Sequence, residues 1–335
     1  MSTLWISGAG GFVGAKLVER ATRSGRFDLI YALDLVIPAA RDEATVRWTP
    51  LDIGDGEAVQ ALARRAPPDV ILNPAAMTSV EACEARRDAA WRVNVAGPQH
   101  LAQVARRRGA HLVQVSSDYV FPGDDAQPGP YAEDDPPRPI NQYGATKRAG
   151  EEAVAQTCRG ETPYTIVRTA LVYGPSGRRD FVTEVVRELA AGRRVRALDQ
   201  VNTPTLVDDL ADALCWIVEH QTGGVYHIAG PDVIGRYEWA LTIAERFELN
   251  AARIERVRVE TPNRTTPRPR LSGLRCERWR AEVGQGAPQP RGILAGLSAI
   301  ASEYNLNTSN SDGSAASRAP HGGADADHGD DKSSA

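Results

Sequence analysis

Residues 3–21 pass from strand to glycine turn to helix without interruption, and that run limits the fold more than any other stretch. Thr3-Leu-Trp-Ile-Ser7 is apolar and rich in strand formers, and Ala15–Ala21 has helical periodicity. Between them Gly8, Gly11 and Gly14 set a G-x-x-G-x-x-G spacing. The first glycine allows a tight turn, the second lets the backbone approach a diphosphate, and the third lets the helix pack closely on the strand. Phe12 and Val13 fall at the start of the helix, where free N–H groups and the positive dipole end favour phosphate. The run predicts the phosphate-binding corner of a dinucleotide site, with all five residues Gly8, Gly11, Phe12, Val13 and Gly14 at the cofactor.

The same alternation continues. Leu29–Leu33 reads as a second strand and delivers Asp34, 20 positions after Gly14, where an acid accepts hydrogen bonds from the adenosine ribose. A carboxylate there repels a 2′-phosphate, which favours NAD(H) over NADP(H), while Arg41 is close enough in sequence to blur the preference. Val46–Leu51 is a third strand; the following Asp52-Ile53 either flanks an adenine ring or caps a helix at Glu57–Ala66. A fourth strand ending at Leu72 runs into Asn73-Pro-Ala75-Ala76, a small-residue loop at the edge where doubly wound sheets bind ligands. Helices are predicted over Val80–Arg92 and Val93–Arg108, the second ending in a solvated Arg106-Arg107-Arg108 before Gly109. Ala110–Val115, the fifth strand, brings Ser116 and Ser117 to the same edge, as hydroxyl donors to a substrate carbonyl or as turn formers.

A proline- and acid-rich loop, Pro122–Pro139, leads to a helix that carries Tyr143 and Lys147 four positions apart. Residues at that spacing share a helix face. An ammonium beside a phenol favours the phenolate, so the spacing predicts a lowered tyrosine pKa and an acid–base catalyst. Further on, Tyr164–Arg168 and Val225–Ala229 read as strands, Phe181–Ala191 and Val207–Glu219 as helices, and 192–196 and 201–205 as short extended pieces. That mixture predicts a smaller α+β lobe at the mouth of the sheet. Arg268 and Arg270, in a proline-interrupted loop, are better phosphate candidates than Arg193, Arg194 and Arg196, whose surface solvation is the simpler reading. Trp239, Trp279 and His227 read as structural.

The composition, 42% hydrophobic and 24% charged, is that of a globular protein, and a net charge of −4 argues against nucleic-acid binding. No apolar run approaches the ~20 residues that cross a bilayer, so no membrane partner is expected. Cys83, Cys158, Cys215 and Cys276 form no C-x-x-C pair and read as reduced thiols in a cytoplasmic protein; no His/Cys spacing suggests a metal. Residues 307–335 hold five acids against Arg318 and Lys332 and almost no large apolar side chain, which predicts a disordered acidic tail from about 305.

Taken together, the glycine motif, Asn73-Pro-Ala-Ala, Ser116-Ser-Asp-Tyr-Val-Phe and Tyr143-x-x-x-Lys147 resemble an extended short-chain dehydrogenase/reductase. Within that superfamily, Ser117–Gly123, Asn141-x-Tyr-Gly-x-Thr-Lys147, Arg168-Thr-x-x-Val-Tyr173, Pro204-Thr205 and Arg268-Pro-x-x-Ser272-x-Leu274 resemble the dTDP-4-dehydrorhamnose reductase family, over residues 3–300. The resemblance implies a Rossmann doubly wound parallel α/β sheet over residues 1–170, rejoined by about 200–230, and a substrate lobe over 171–304. It implies catalytic Ser117, Tyr143 and Lys147. It places Gly8, Gly11, Phe12, Val13, Gly14, Asp34, Asp52, Ile53, Asn73, Ala75, Ala76, Tyr143 and Lys147 at NAD(H) or NADP(H). Val80, Asp118, Tyr119 and Arg268 would face a nucleotide-sugar substrate whose 4-keto group is reduced, in a possible homodimer. Two positions depart from the family pattern: Leu171 stands where a tryptophan is usual, and Lys16 where some members carry a glutamate that helps a magnesium-linked dimer, so no metal is carried over. Two other readings use the same motifs. One is an epimerase or dehydratase with recycled NAD, although a dehydratase needs a carboxylate pair that Asp118-Tyr119 does not supply. The other is a regulatory subunit resembling the methionine adenosyltransferase beta subunit.

Overall fold

The computed structural model describes residues 2–37, 44–160, 162–175, 180–258 and 266–304. Arg41 and the expected tail at 305–335 lie outside them. Seven strands form one sheet: β1 (Thr3–Ser7), β2 (Leu29–Asp34), β3 (Val46–Pro50), β4 (Val70–Asn73), β5 (His111–Ser117), β6 (Tyr164–Thr169) and β7 (Gly224–His227). Every pairing is parallel, and the order is β7-β6-β5-β4-β1-β2-β3. The chain starts mid-sheet, steps out to β3, then returns to the far side of β1. That reversal opens a crevice between β1 and β4, where doubly wound sheets bind ligands.

Parallel strands covered on both faces read as continuous apolar runs. β1, β4 and β5 are buried along their whole length. Alternate residues feed opposite layers. Leu4 and Ile6 pack with Leu17 and Ala21 of the first helix (Phe12–Ser24) and with Leu210, Leu214 and Ile217 of the helix Val207–His220. Trp5 and Ile71 meet Val59, Leu62, Leu101 and Val154 on the other face.

Two local expectations are corrected. The cap of the helix Gly56–Arg65 is Asp55, which accepts from the Ala58 N–H; Asp52 instead accepts from the Gly54 N–H at 2.8 Å and pairs with Arg92 at 2.6 Å. The two helices expected over 80–108 are four pieces: Val80–Ala85, Arg87–Trp91, a π-helical turn Arg92–Ala96, and Gly97–Arg108. The π turn carries Asn94, whose amide leaves the helix to bind both backbone groups of Met77, a distortion that helices adopt at functional sites.

In the second half, short strand pairs sit beyond the sheet. Val195–Leu198 runs parallel with Ile254–Val257, Val201–Asn202 antiparallel with Ile234–Gly235, and Thr205–Leu206 parallel with Val172–Tyr173. Trp239 and Trp279 are fully buried. His227 is buried as well; loss of hydration holds its pKa down to about 4, so it stays neutral at physiological pH.

The glycine turn is set by contact. Gly8 has φ +59°, and a Cβ on Gly14 would lie 2.0 Å from the Gly8 carbonyl oxygen. Gly14→Ala is therefore expected to cost about 1–3 kcal/mol, the usual penalty of overpacking, and to lower the urea midpoint. An unchanged midpoint would show that the turn opens freely.

Candidate active site

The carboxyl ends of six neighbouring strands open into one cleft of about 970 Å³. Its lining steps across the sheet in strand order: Asp52 and Ile53 after β3, Asp34 at the end of β2, Gly8–Gly14 after β1, Pro74–Ala76 after β4, Ser116 and Ser117 on β5, and Thr169–Val172 at β6. Five strand spacings at about 4.8 Å make roughly 24 Å, long enough for an extended dinucleotide. The floor is backbone where Gly8, Gly11 and Gly14 lie, so a diphosphate can approach closely. Asp34 is already fixed there: its carboxylate accepts from the Gly10 N–H at 2.9 Å and the Leu35 N–H at 2.7 Å. Of the residues expected at the cofactor, all but Asn73 line this cleft. Asn73 lies beneath it, fully buried, with its amide bound to Ser7 and Gln114.

Tyr143 and Lys147 belong to the helix Gln142–Thr157, whose N-terminus is pinned on three sides. Asn141 caps it by accepting from the Gly144 N–H at 2.8 Å and also donates to the Pro267 carbonyl at 3.0 Å. Asn94 donates to Thr146 Oγ1 at 3.0 Å. Gly144 permits the close approach, because a Cβ there would lie 2.1 Å from the Tyr119 carbonyl oxygen. The result sets the Tyr143 ring edge-on to Tyr119, centroids 5.5 Å apart, with Ser117 on the same cleft wall.

The protonation states differ from the expectation. Lys147 turns beneath β5 and donates from Nζ to the Val115 carbonyl at 2.7 Å. Burial dominates both groups: it pushes the Tyr143 phenol well above its ordinary value, and holds Lys147 down to about 8, with Glu151 pulling the other way. Without ligand, Tyr143 is a protonated acid.

Val80, Asp118, Tyr119 and Arg268 do not line the cleft. Val80 is buried in its short helix. Asp118 faces inward and accepts from Ser272 Oγ at 2.7 Å and Ser117 Oγ at 3.0 Å; burial raises its pKa against those two bonds. Arg268 is held by Glu81. Arg270, the other loop candidate, pairs with Asp125. Arg193 and Arg194 pair with Glu188 and Glu255 at the surface. In their place the far wall is built by Leu171, the position that departs from the family pattern, and by Asp180, Phe181, Glu184 and Arg236, none of which carries a local motif. Leu171 has φ +43°, a sparsely populated conformation for a branched side chain at the edge of a cleft.

The sequence model of the family described as the RmlD substrate binding domain matches residues 1–300. The chain belongs to that family. Among its relatives, the dTDP-4-dehydrorhamnose reductase of Mycobacterium tuberculosis (strain ATCC 25618 / H37Rv) is 37% identical over 281 residues, 82% of this chain and 86% of that one. That of Streptomyces griseus is 38% identical over 285 residues, again 82% and 86%. A crystal structure of dTDP-4-dehydrorhamnose reductase from Bacillus anthracis in complex with NADP superposes with a TM-score of 0.78 at 30% identity, covering 90% of this chain and all of that one. The parallel sheet and its layers are the Rossmann-type fold of the family. No helix of the described residues is long and apolar enough to cross a membrane.

The lysine gives a pH signature. Its folded pKa of about 8 lies below the ordinary 10.5, so burying the charged form costs stability below pH 8. That cost is relieved as pH rises from 8 to 10.5, where only the unfolded chain still holds the proton. Wild-type protein should therefore gain stability relative to Lys147→Met between pH 7.5 and 10 in urea unfolding. A difference that stays flat with pH would mean that Lys147 is hydrated.

Proposed function

We propose that the chain is an NAD(P)H-dependent reductase acting on the 4-keto group of a nucleotide-linked deoxysugar, as dTDP-4-dehydrorhamnose reductases do. One observation carries the reading: a single cleft joins the glycine turn, Asp34, Ser117, Tyr143 and Lys147, on a chain that belongs to the family along its folded length. The backbone cradle at Gly8–Gly14 and the fixed Asp34 carboxylate suit a dinucleotide, with Asp52, Ile53, Ala75 and Ala76 along its course. A reduced nicotinamide bound there supplies the hydride.

The chain's own residues do the rest. Tyr143 donates its proton to the oxygen that becomes the hydroxyl. Ser117, on the same cleft wall as that phenol, orients the carbonyl. Lys147, held by Val115, keeps a positive charge under the tyrosine and stabilises negative charge as it develops. The shielded walls strengthen each interaction. Asp34, with Leu35 beside it on the cleft wall, supports NADH over NADPH, because neither side chain can pair with a 2′-phosphate. A homodimer is part of the proposal on family grounds alone.

Nicotinamide absorbance tests the reading. Wild-type protein given a dTDP-4-keto-6-deoxysugar should oxidise NADH stoichiometrically, faster than NADPH at equal concentration. Tyr143→Phe should lower kcat at least about a hundredfold, the usual contribution of a positioned acid. Cofactor returned unchanged with an isomerised sugar would instead favour an epimerase, and near-normal turnover in the variant would remove Tyr143 from the chemistry.

A further inference from the structure

Behind the cleft wall, Lys147 has a carboxylate neighbour that the reduction itself does not touch. Glu151 follows it by four positions on the helix Gln142–Thr157, and both side chains turn to the sheet, Lys147 to β5 and Glu151 to β6. Lys147 is 4% exposed and Glu151 1%. A carboxyl group that deep is normally neutralised, because burial disfavours its charged form. Here Arg168 of β6 meets it with a two-pronged bond: Nε donates to Oε1 at 2.9 Å and Nη2 to Oε2 at 2.8 Å. Arg148 adds a longer bond from Nη1 at 3.3 Å. These bonds and charges outweigh burial and hold the Glu151 carboxyl below its ordinary range, so it is ionised at neutral pH.

Arg168 is fixed from behind in turn. It lies over the Phe121 ring, 5.1 Å from the centroid, and its Nη1 is 3.4 Å from both the Glu133 carbonyl and His227 Nε2. His227 Nδ1 faces the Tyr131 and Arg275 carbonyls, each at 3.1 Å, so it carries the imidazole proton and leaves Nε2 to accept from Arg168.

The other titratable groups packed around Lys147 are neutral or engaged elsewhere. Cys83 donates to the Met77 carbonyl at 3.4 Å, and burial pushes its thiol up. Glu84 accepts from the Gln142 N–H and pairs with Arg87, and Arg92 on the π turn pairs with Asp52. Asp118 is taken by Ser272 and Ser117. Tyr143 is protonated, and β5 offers Lys147 a carbonyl dipole but no charge. Resting on the reductase reading above, we propose that Glu151, kept ionised by Arg168, is a positioning residue that keeps Lys147 charged beneath Tyr143 at neutral pH. An opposite charge one helical turn away shifts a titration by about one unit or more. Without it, Lys147 would fall from about 8 to near 7 and lose much of its positive charge where the reaction runs.

Titration of the lysine amines tests this on the full chain. Its lysines are Lys16, Lys147 and Lys332, so lysine isotope-labelled at Cε gives an NMR spectrum sparse enough to follow each one. The signal that Lys147→Met removes should titrate at about 8 in wild-type protein and about one unit lower in Glu151→Gln. The alkaline limb of kcat/KM should move down by the same amount. Glu151→Gln with Arg168→Met, which removes both charged ends of the pair, serves if the single variant unfolds, and should show the same lowered midpoint. A Lys147 midpoint that stays in place overturns the proposal and leaves Glu151 as an anchor of the helix to β6. A lowered midpoint with an unmoved alkaline limb overturns its part in the reaction. Wild-type protein that turns over no dTDP-4-keto sugar overturns the reductase reading instead, while the titration, which needs no substrate, still decides whether Glu151 sets the charge of Lys147.

Discussion

Parallel pairing is the constraint that makes the site. Because every strand of the sheet runs the same way, each carboxyl end faces one edge, and each loop that leaves a strand there contributes to one cleft. Residues as far apart in sequence as Gly8, Ser117 and Leu171 become neighbours in a row by strand order alone. The switch between β1 and β4 parts the flanking helices and leaves the row open to a ligand. Two close approaches complete it. Gly14 lets the first helix close on the turn, and Gly144 lets the tyrosine helix close on the backbone of Tyr119.

Burial then sets the chemistry. The same packing that fixes Tyr143 takes its phenol out of water and keeps it protonated, while the lysine beneath is brought down to about 8. An acid and a cation share a shielded wall, where electrostatic interactions are stronger than in water. At the lobe side of the cleft, Arg236 lies over the Phe181 ring with its Nε shielded and without a hydrogen-bond partner, while Asp118 and Glu184 act on its charge from nearby. The cleft thus holds a buried phenol and ammonium at one wall and a shielded guanidinium at the other.

What was legible in the sequence is what local pattern specifies. β1, the glycine turn and Asp34 follow from apolar runs, a fixed glycine spacing and an acid at a strand end, and each occupies the place the pattern assigns. The resemblance brought Ser117, Tyr143 and Lys147 together, and the structure places all three on the cleft. Tertiary choices were not legible. The π turn depends on Asn94 reaching Met77, 17 residues away in sequence. Spacing alone put the Lys147 ammonium at the phenol, but the Val115 carbonyl competes for it. Asp118 turned inward because Ser272, far along the chain, donates to it. Arg236 looks like any polar residue of an amphipathic helix until Phe181 and the cleft wall close over it. A lone asparagine inside a helical run was the one available signal, since that residue is a poor helix former.

The central claim is that hydride and proton meet one carbonyl in this cleft. Nicotinamide cofactor carrying deuterium at its transferable position, incubated with a dTDP-4-keto-6-deoxysugar, tests it through NMR and mass spectrometry of the product. One deuterium retained on the former carbonyl carbon, with one cofactor oxidised per sugar, is the outcome predicted here. A product without deuterium, or with the label returned to the cofactor, would contradict it.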